Sequence, residues 1–211
     1  MSSKGRFTQV CLIVLLAAAL RLVFLHQFQS SDFYQCPVLD MLTYMQQAQV
    51  IAKYGLDGLE VIWRPPLYPI LLSLSVKYPG SFLPGLLIQV LLASLSAGLV
   101  YLVARRFAPE RAALAGAALY AINWVAIFFS VPFEGTSLFV FLLLLALWLM
   151  MASEGRRSWL SVPAGLAAGL AALVRTEILP IILVWALWMA LRKRFSRALM
   201  FALAAAVPSL P

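Results

Sequence analysis

Apolar segments of about twenty residues recur along the whole sequence, and they constrain the fold more than any other feature. A helix needs about 17–25 apolar residues to cross the hydrocarbon core of a bilayer. Four segments have that length, and the last of five is long enough for two helices. They are residues 7–25, 83–104, 112–131, 133–151 and 159–191. The pattern predicts a chain that crosses a membrane several times.

Composition supports this prediction. Soluble domains contain about 45–50% apolar and about 25% charged residues, whereas this chain of 211 residues is 64% hydrophobic and 11% charged. Arg175, Glu177 and Pro180 interrupt the segment 159–191, so we expect a tight turn near residues 174–176. Residues 198–211 open a further span. The expected fold is an all-α polytopic membrane protein with about six to seven transmembrane helices.

The basic residues predict the orientation. Lys and Arg are enriched in cytoplasmic loops, and a cytoplasmic N-terminus places eleven of the sixteen cations inside. The inner set is Lys4, Arg6, Arg105, Arg106, Arg111, Arg156, Arg157, Arg192, Lys193, Arg194 and Arg197, and the outer set is Arg21, Lys53, Arg64, Lys77 and Arg175. The first apolar segment lacks a small-residue cleavage site, so we expect it to be retained. The cations form no single stripe, which argues against nucleic-acid binding despite a net charge of +8.

With this orientation, residues 26–83 form a large first extracytoplasmic loop. Residues 39–54 are predicted to be helical. Residues 67–78 form a second short apolar helix, which is too short to span and is expected to lie at the membrane interface. Long loops that pack on a membrane commonly carry function, so this loop is the first place to search for a site.

Asp40, Tyr44 and Ala48 share one helix face, because they are spaced by four residues. Asp40 either caps the helix or serves a reaction. Arg64 precedes two prolines that stiffen the backbone; it is either part of a rigid entry to the next helix or a cation held where a lipid headgroup would lie.

Other ionisable residues lie at membrane depth, where they are costly and usually face a cavity. They are Arg21 in the first span and Glu134, Arg175 and Glu177 at outer ends. Arg175 and Glu177 could instead pair with each other or reach the interface. Gln89 and Asn123 are expected to pack between helices. The single histidine, His26, argues against a His-based metal site or a Ser-His-Asp triad, and no P-loop or GxGxxG motif is present.

The order of these features resembles the GT-C membrane glycosyltransferases that use polyprenyl-phosphate sugars. The nearest branch is similar to the bacterial relatives of protein O-mannosyltransferases, including the rhizobial lipopolysaccharide galacturonosyltransferase group. The resemblance extends from about residue 21 to residue 191. It rests on Pro37-Val38-Leu39-Asp40 with Tyr44 and Ala48, on Pro66-Leu67-Tyr68-Pro69, on the segments 129–134 and 165–175, and on their order and topological side.

The resemblance implies roles for the polar residues. Asp40 corresponds to the catalytic base, Arg175 and Arg64 would bind the donor phosphate, and Tyr44, Glu134 and Glu177 would orient the substrates. Two positions depart from the family pattern. Met41 stands where many relatives have a second acidic residue, and Arg64 stands where they have histidine or another polar residue.

The function implied is transfer of a sugar from a polyprenyl phosphate to a hydroxyl of a glycan, lipid or protein on the outer face of a bacterial inner membrane. No cofactor is implied, and nothing in the sequence supports a divalent metal. The alternatives are a non-catalytic membrane subunit and a transporter or flippase of lipid-linked sugars. Relatives continue for several more spans, so residues 1–211 are expected to be one domain at the N-terminal end of a longer protein and to be inactive alone.

Overall fold

The computed structural model describes residues 3–58, 64–77, 81–154 and 157–209, and every regular element in these residues is a helix. The helices are α1 Ser3–Gln29, α2 Asp32–Gln35, α3 Asp40–Tyr54, α4 Leu67–Lys77, α5 Leu83–Ala104, α6 Glu110–Ile122, α7 Trp124–Phe128, α8 Thr136–Ala152, α9 Ser161–Ala172, α10 Leu179–Leu191 and α11 Phe195–Ala206. The expected all-α architecture is confirmed. Residues 59–63, 78–80, 156, 210 and 211, which belong to segments or cation sets predicted above, lie outside the described residues.

Two described helices, α1 and α5, are long and apolar enough to cross a membrane, over Phe7–Gln29 and Leu83–Ala104. Five shorter apolar helices accompany them: Leu67–Lys77, Thr136–Ala152, Ser158–Ala172, Thr176–Leu191 and Phe195–Ala206. Their outer faces are apolar as well. In α10, for example, the side chains of Leu183, Val184 and Leu187 are between 59% and 70% exposed. Such a surface fits lipid rather than water, while the number of crossings stays a prediction.

The helix boundaries follow local signals in most places. Helix α5 coincides with the predicted segment, because Pro84 favours its first turn and Arg105 and Arg106 follow its last residue. The long segment 159–191 is divided as expected. Helix α9 ends at Ala172, and a short 3-10 turn over Thr176–Ile178 leads into α10.

The segment 112–131 is not one helix, so that prediction was wrong. Helix α6 stops at Ile122, and the exposed side chain of Asn123 caps α7 by accepting a hydrogen bond of 2.9 Å from the backbone N–H of Ala126. Asn123 therefore caps a helix instead of packing between helices, because its carbonyl satisfies an N–H that a new helix start leaves open. Gln89, by contrast, is buried between elements as expected.

Arg21 explains how the break between α6 and α7 is tolerated. Its side chain is fully buried, and Nη1 donates hydrogen bonds of 3.0 Å to the carbonyl of Ala17 and 3.2 Å to the carbonyl of Ala121. The guanidinium also lies 5.7 Å from the ring centre of Tyr120. Arg21 thus faces a helix C-terminus rather than the expected cavity. Its positive charge stabilises the carbonyls there that have no partner within the helix.

Packing brings together the helix ends that are predicted to be outer. Helix α8 lies between α5 and α9, and α9 also packs closely on α11. The α9–α11 contact depends on Gly165 and Gly169, because a Cβ atom at either would lie 2.3 Å or less from a backbone oxygen of α11. Small residues at a spacing of four allow such an approach of two helix backbones. Helices α3 and α4 pack on each other beside the N-terminal end of α8.

Candidate active site

A cavity of about 230 Å³ lies where α3, the Arg64 segment, the start of α8 and the turn before α10 meet. Its wall contains two arginines and three carboxylates. The lining residues are Asp40, Tyr44, Arg64, Pro65, Glu134, Val174, Arg175, Thr176 and Glu177. All six residues predicted for the site are therefore in one cavity, although they come from four separated segments of the sequence.

Asp40 and Arg64 form an ion pair on one wall. Arg64 donates from Nη2 to Oδ1 of Asp40, while the side chain of Asp40 stays 49% exposed. The guanidinium of Arg64 also lies 5.4 Å from the ring centre of Tyr44, one helical turn beyond Asp40. Asp40 is the first residue of α3, and the residue before it gives no side-chain cap. The side chain of Asp40 contacts Arg64 in the cavity, which favours a role in the site over the role of a helix cap.

The backbone on either side of this pair is constrained. Leu39, directly before Asp40, has a positive φ of 54°, which is costly for a branched side chain. Strain of this kind is concentrated at functional sites. After Arg64, two prolines lead into α4, whose first residue, Leu67, donates a backbone hydrogen bond of 3.0 Å to the carbonyl of Leu173. This bond fixes the Arg64 segment against the turn that carries Arg175.

Arg175, which also lines the cavity, is held by a hydroxyl. Its Nη2 donates a hydrogen bond of 2.8 Å to Oγ1 of Thr136, and Thr136 in turn donates a long one of 3.4 Å to Oε2 of Glu134. The order of contacts is Arg175, Thr136, Glu134. Both Arg175 and Glu134 are half-buried, so the guanidinium keeps further N–H groups for a ligand.

The expected alternative for Arg175, a pair with Glu177, is not what the described contacts show. Arg175 has extended backbone angles, and Glu177 lies two residues on, in the 3-10 turn, with an exposed side chain. Glu177 is at the rim of the cavity, and the hydrogen bond of Arg175 goes to Thr136 instead.

Close packing beneath the cavity fixes the start of α8. A Cβ atom on Gly135 would lie 2.7 Å from Cγ1 of Val174 and 3.3 Å from Cβ of Tyr68. The residues after Gly135 and Val174 are Thr136 and Arg175. Their hydrogen bond therefore depends on a contact that glycine permits at the preceding position.

A polar network below the cavity includes Tyr68. Its hydroxyl donates a hydrogen bond of 2.8 Å to Oε1 of Gln89, whose Nε2 donates one of 2.8 Å to the carbonyl of Pro132. Burial, with smaller contributions from Tyr44 and Glu134, raises the pKa of the Tyr68 hydroxyl well above its ordinary value. Tyr68 therefore stays neutral and donates at physiological pH, which links α4 and α5 to the segment before Glu134.

Sequence reasoning missed Thr136, the residue that joins Arg175 to Glu134. A threonine at the start of an apolar helix is common and does not by itself indicate a site. The only signal in the sequence was that Thr136 lies two residues after Glu134. Among the described residues, no group of three or more His, Cys, Asp or Glu side chains is placed to hold a metal ion.

A comparison with protein families supplies the decisive observation. The sequence model of the dolichyl-phosphate-mannose-protein mannosyltransferase family matches residues 63–210, which is most of the chain. The chain belongs to this family. It is a membrane glycosyltransferase of the GT-C type. Comparisons with curated proteins and with solved structures gave no match.

The family match covers most of the residues that line the cavity, but not all of them. Arg64, Glu134, Arg175 and Glu177 all lie within the matched residues, whereas Asp40 and Tyr44 precede them. Membership in the mannosyltransferase family therefore bears on the arginine-bearing segments, and the assignment of Asp40 depends on its place in the cavity.

Proposed function

We propose that this protein transfers a sugar from a polyprenyl phosphate to a hydroxyl of an envelope glycan, lipid or protein on the outer face of a bacterial inner membrane. The observation that carries the proposal is the single cavity that both Asp40 and Arg175 line. A carboxylate and a guanidinium are the two groups that such a transfer needs, one to accept a proton and one to bind a phosphate. The cytoplasmic N-terminus and the multi-pass topology are part of the proposal.

Asp40 is the proposed base. Its Oδ1 accepts from Arg64, which leaves Oδ2 for the acceptor hydroxyl. In the transfer, the acceptor oxygen attacks the anomeric carbon, and the bond from that carbon to the phosphate oxygen breaks. The hydroxyl proton goes to Oδ2 of Asp40, and the electron pair of the broken bond leaves on the polyprenyl phosphate.

Arg175 is the proposed partner of the phosphate. The planar guanidinium can bind two phosphate oxygens at once, and Thr136 fixes it through Nη2. Thr136 is also the first residue of α8, and the N-terminus of a helix favours an anion. Arg64 is a second candidate for binding the phosphate. Because it contacts Asp40, its main proposed role is to orient the base. Tyr44, Glu134 and Glu177 would orient the sugar and the acceptor.

An adjoining groove would accept the lipid chain of the donor. It has a volume of about 410 Å³, lies between α6, α7 and α8, and is lined mainly by apolar side chains. Thr136 lines this groove and accepts a hydrogen bond from Arg175, which lines the polar cavity. A donor with its phosphate at Arg175 could therefore place its isoprenoid chain along Leu119, Val125 and Val140.

Deletion and complementation test the proposal. Mass spectrometry of envelope glycans should show a sugar that disappears when the gene is deleted and returns with the wild-type gene. Asp40→Asn should fail to restore it, because loss of a general base costs about 10²–10⁴ in rate. Asp57→Asn, which changes an exposed aspartate of the same loop, is the matched control. Restoration by Asp40→Asn at the wild-type level would refute the assignment of Asp40.

The proposal includes no resident cofactor or metal. Two of the cavity carboxylates are engaged, Asp40 by Arg64 and Glu134 by Thr136. We expect transfer in washed membranes to be unchanged by EDTA, and activity that EDTA abolishes and Mg²⁺ or Mn²⁺ restores would contradict this.

A further inference from the structure

A second polar cavity lies at the opposite end of the helices. It has a volume of about 550 Å³ and is lined by Arg106, Phe107, Met151, Glu154, Trp188, Arg192 and Arg194. Helix α8 begins at the proposed active site and ends here after 17 residues, so about 25 Å separate the two cavities. The second cavity is therefore a separate site, and it plays no part in the transfer proposed above.

The charge of this cavity is strongly positive. Three arginines and one carboxylate line it. Arg194 donates to Glu154 over 3.3 Å, but the two side chains are 38% and 52% exposed, and exposed pairs of this kind contribute little. Arg106 and Arg192 pair with no carboxylate in the described part of the chain. Their charge is available to an anion.

The arginines are brought together by three separate turns. Arg106 follows α5, Glu154 follows α8, and Arg192 and Arg194 follow α10. Lys193, between the last two, has a φ of 56°, and the N–H of Arg194 reaches back to the carbonyl of Met189 at 3.0 Å. This helix ending normally uses glycine. With lysine in its place, the turn still directs both neighbouring arginines to the same cavity.

The rim of the cavity is apolar and aromatic. Phe107 is 80% exposed and Trp188 is 40% exposed, and Arg192 lies 5.6 Å from the centre of the Trp188 ring. An aromatic ring beside a guanidinium, at the end of an apolar helix, is typical of the level of lipid headgroups. A free anion in water needs no such border, whereas a phospholipid has both a phosphate and acyl chains to match it.

We propose that this cavity binds the phosphate headgroup of an anionic membrane phospholipid. Arg106 and Arg192 supply the phosphate contacts, and Phe107 and Trp188 contact the adjoining glycerol and acyl region. Basic cavities between transmembrane helices on the cytoplasmic side bind such headgroups in general, and the predicted orientation places this cavity on that side.

Nanodiscs provide the test. The full gene product is reconstituted in phosphatidylcholine alone or with increasing phosphatidylglycerol, and bound phosphatidylglycerol is measured by native mass spectrometry. The double variant Arg106→Gln/Arg192→Gln should weaken retention about 25-fold, since each basic residue near an anionic surface contributes about fivefold. Lys53→Gln, an exposed cation of the predicted outer set and outside the cavity, should leave retention unchanged. Equal retention by the double variant and the wild type would overturn the proposal.

A variant that is expected to strengthen lipid binding distinguishes loss of the site from misfolding. Glu154→Gln removes the only carboxylate among the described residues that line the cavity, so it should strengthen retention, an effect that a damaged protein cannot produce. Inorganic phosphate separates the two sources of the ligand. If it displaces phosphatidylglycerol only at concentrations far above those of the cell, the lipid is supported; if it raises thermal stability while phosphatidylglycerol is not retained, the lipid proposal is wrong.

Discussion

Thr136 and Arg175, which are 39 residues apart in the sequence, share a hydrogen bond of 2.8 Å from the guanidinium Nη2 to the hydroxyl Oγ1. This contact joins the start of α8 to the turn before α10. It also orients the arginine proposed to bind the donor phosphate, so the hydroxyl of Thr136 should matter for donor binding although it transfers no proton in the proposed reaction.

Replacement of Thr136 by valine should therefore weaken binding of the donor and leave binding of the acceptor unchanged. Valine keeps the shape of threonine and removes the hydroxyl, and a hydrogen bond to a charged group contributes about 1.5–3 kcal/mol. We expect the KM for the polyprenyl-phosphate sugar to rise about tenfold, with the KM for the acceptor unchanged. Thr136→Ser keeps the hydroxyl and should stay near the wild type. Equal effects of the two variants would assign Thr136 to packing alone.

Arg175→Lys should also impair transfer, because a point charge cannot bind two phosphate oxygens as the planar guanidinium does. Arg175→Ala should raise the KM for the lipid donor more than the KM for the acceptor. Both constants can be measured in membranes that contain equal amounts of each variant. An unchanged donor KM together with a lower yield of folded protein would make Arg175 a structural residue.

Gly135→Ala should destabilise the protein and displace Thr136. The new methyl group would lie 2.7 Å from Cγ1 of the buried Val174, and overpacking of this kind costs about 1–3 kcal/mol. Thermal unfolding in detergent measures the loss, and the double variant Gly135→Ala/Val174→Ala should recover part of it.

Gly116→Ala is the matched control for this experiment. Gly116 is a helical glycine with open space around its Cβ position, so alanine should stabilise the protein slightly, by about 0.5–1 kcal/mol. Equal melting temperatures for the Gly135→Ala protein and the wild type would show that the contact at Val174 yields without cost.

The orientation predicts which cysteine an impermeant maleimide can reach. Cys36 is exposed and lies in the loop expected outside, so it should react in intact cells once Cys11 has been replaced by alanine. A cysteine at the exposed position Arg157, in a protein with Cys36→Ser, should react only after the membrane is permeabilised. Reversed accessibility of the two positions would reverse the topology.

Elements defined by local signals could be predicted from the sequence. Helix α5 and the turn around Arg175 follow directly from an apolar run bounded by prolines and charges. The break at Asn123 could not be predicted, because the surrounding run is apolar throughout. It depends on Arg21, 100 residues away, which donates to the carbonyl of Ala121.

The candidate site was predictable in its members but not in its contacts. Asp40, Arg64 and Arg175 could be chosen from residue type and position, because long loops that pack on a membrane commonly carry function and ionisable groups at membrane depth usually face a cavity. The sequence alone could not predict which of these residues contact each other. Arg64 contacts Asp40 across 24 residues and Arg175 contacts Thr136, and both pairings follow from how α3, α4 and α8 pack.

The backbone hydrogen bond from Leu67 to Leu173 has a consequence for how this protein can diversify. It joins main-chain atoms, so replacement of either side chain leaves it in place unless proline is introduced at Leu67. The spacing between the segments of Arg64 and Arg175 is therefore independent of the side chains that line the cavity. Related proteins can therefore differ in those side chains, and under the proposed function in the sugars and acceptors that they select, without moving the two segments apart.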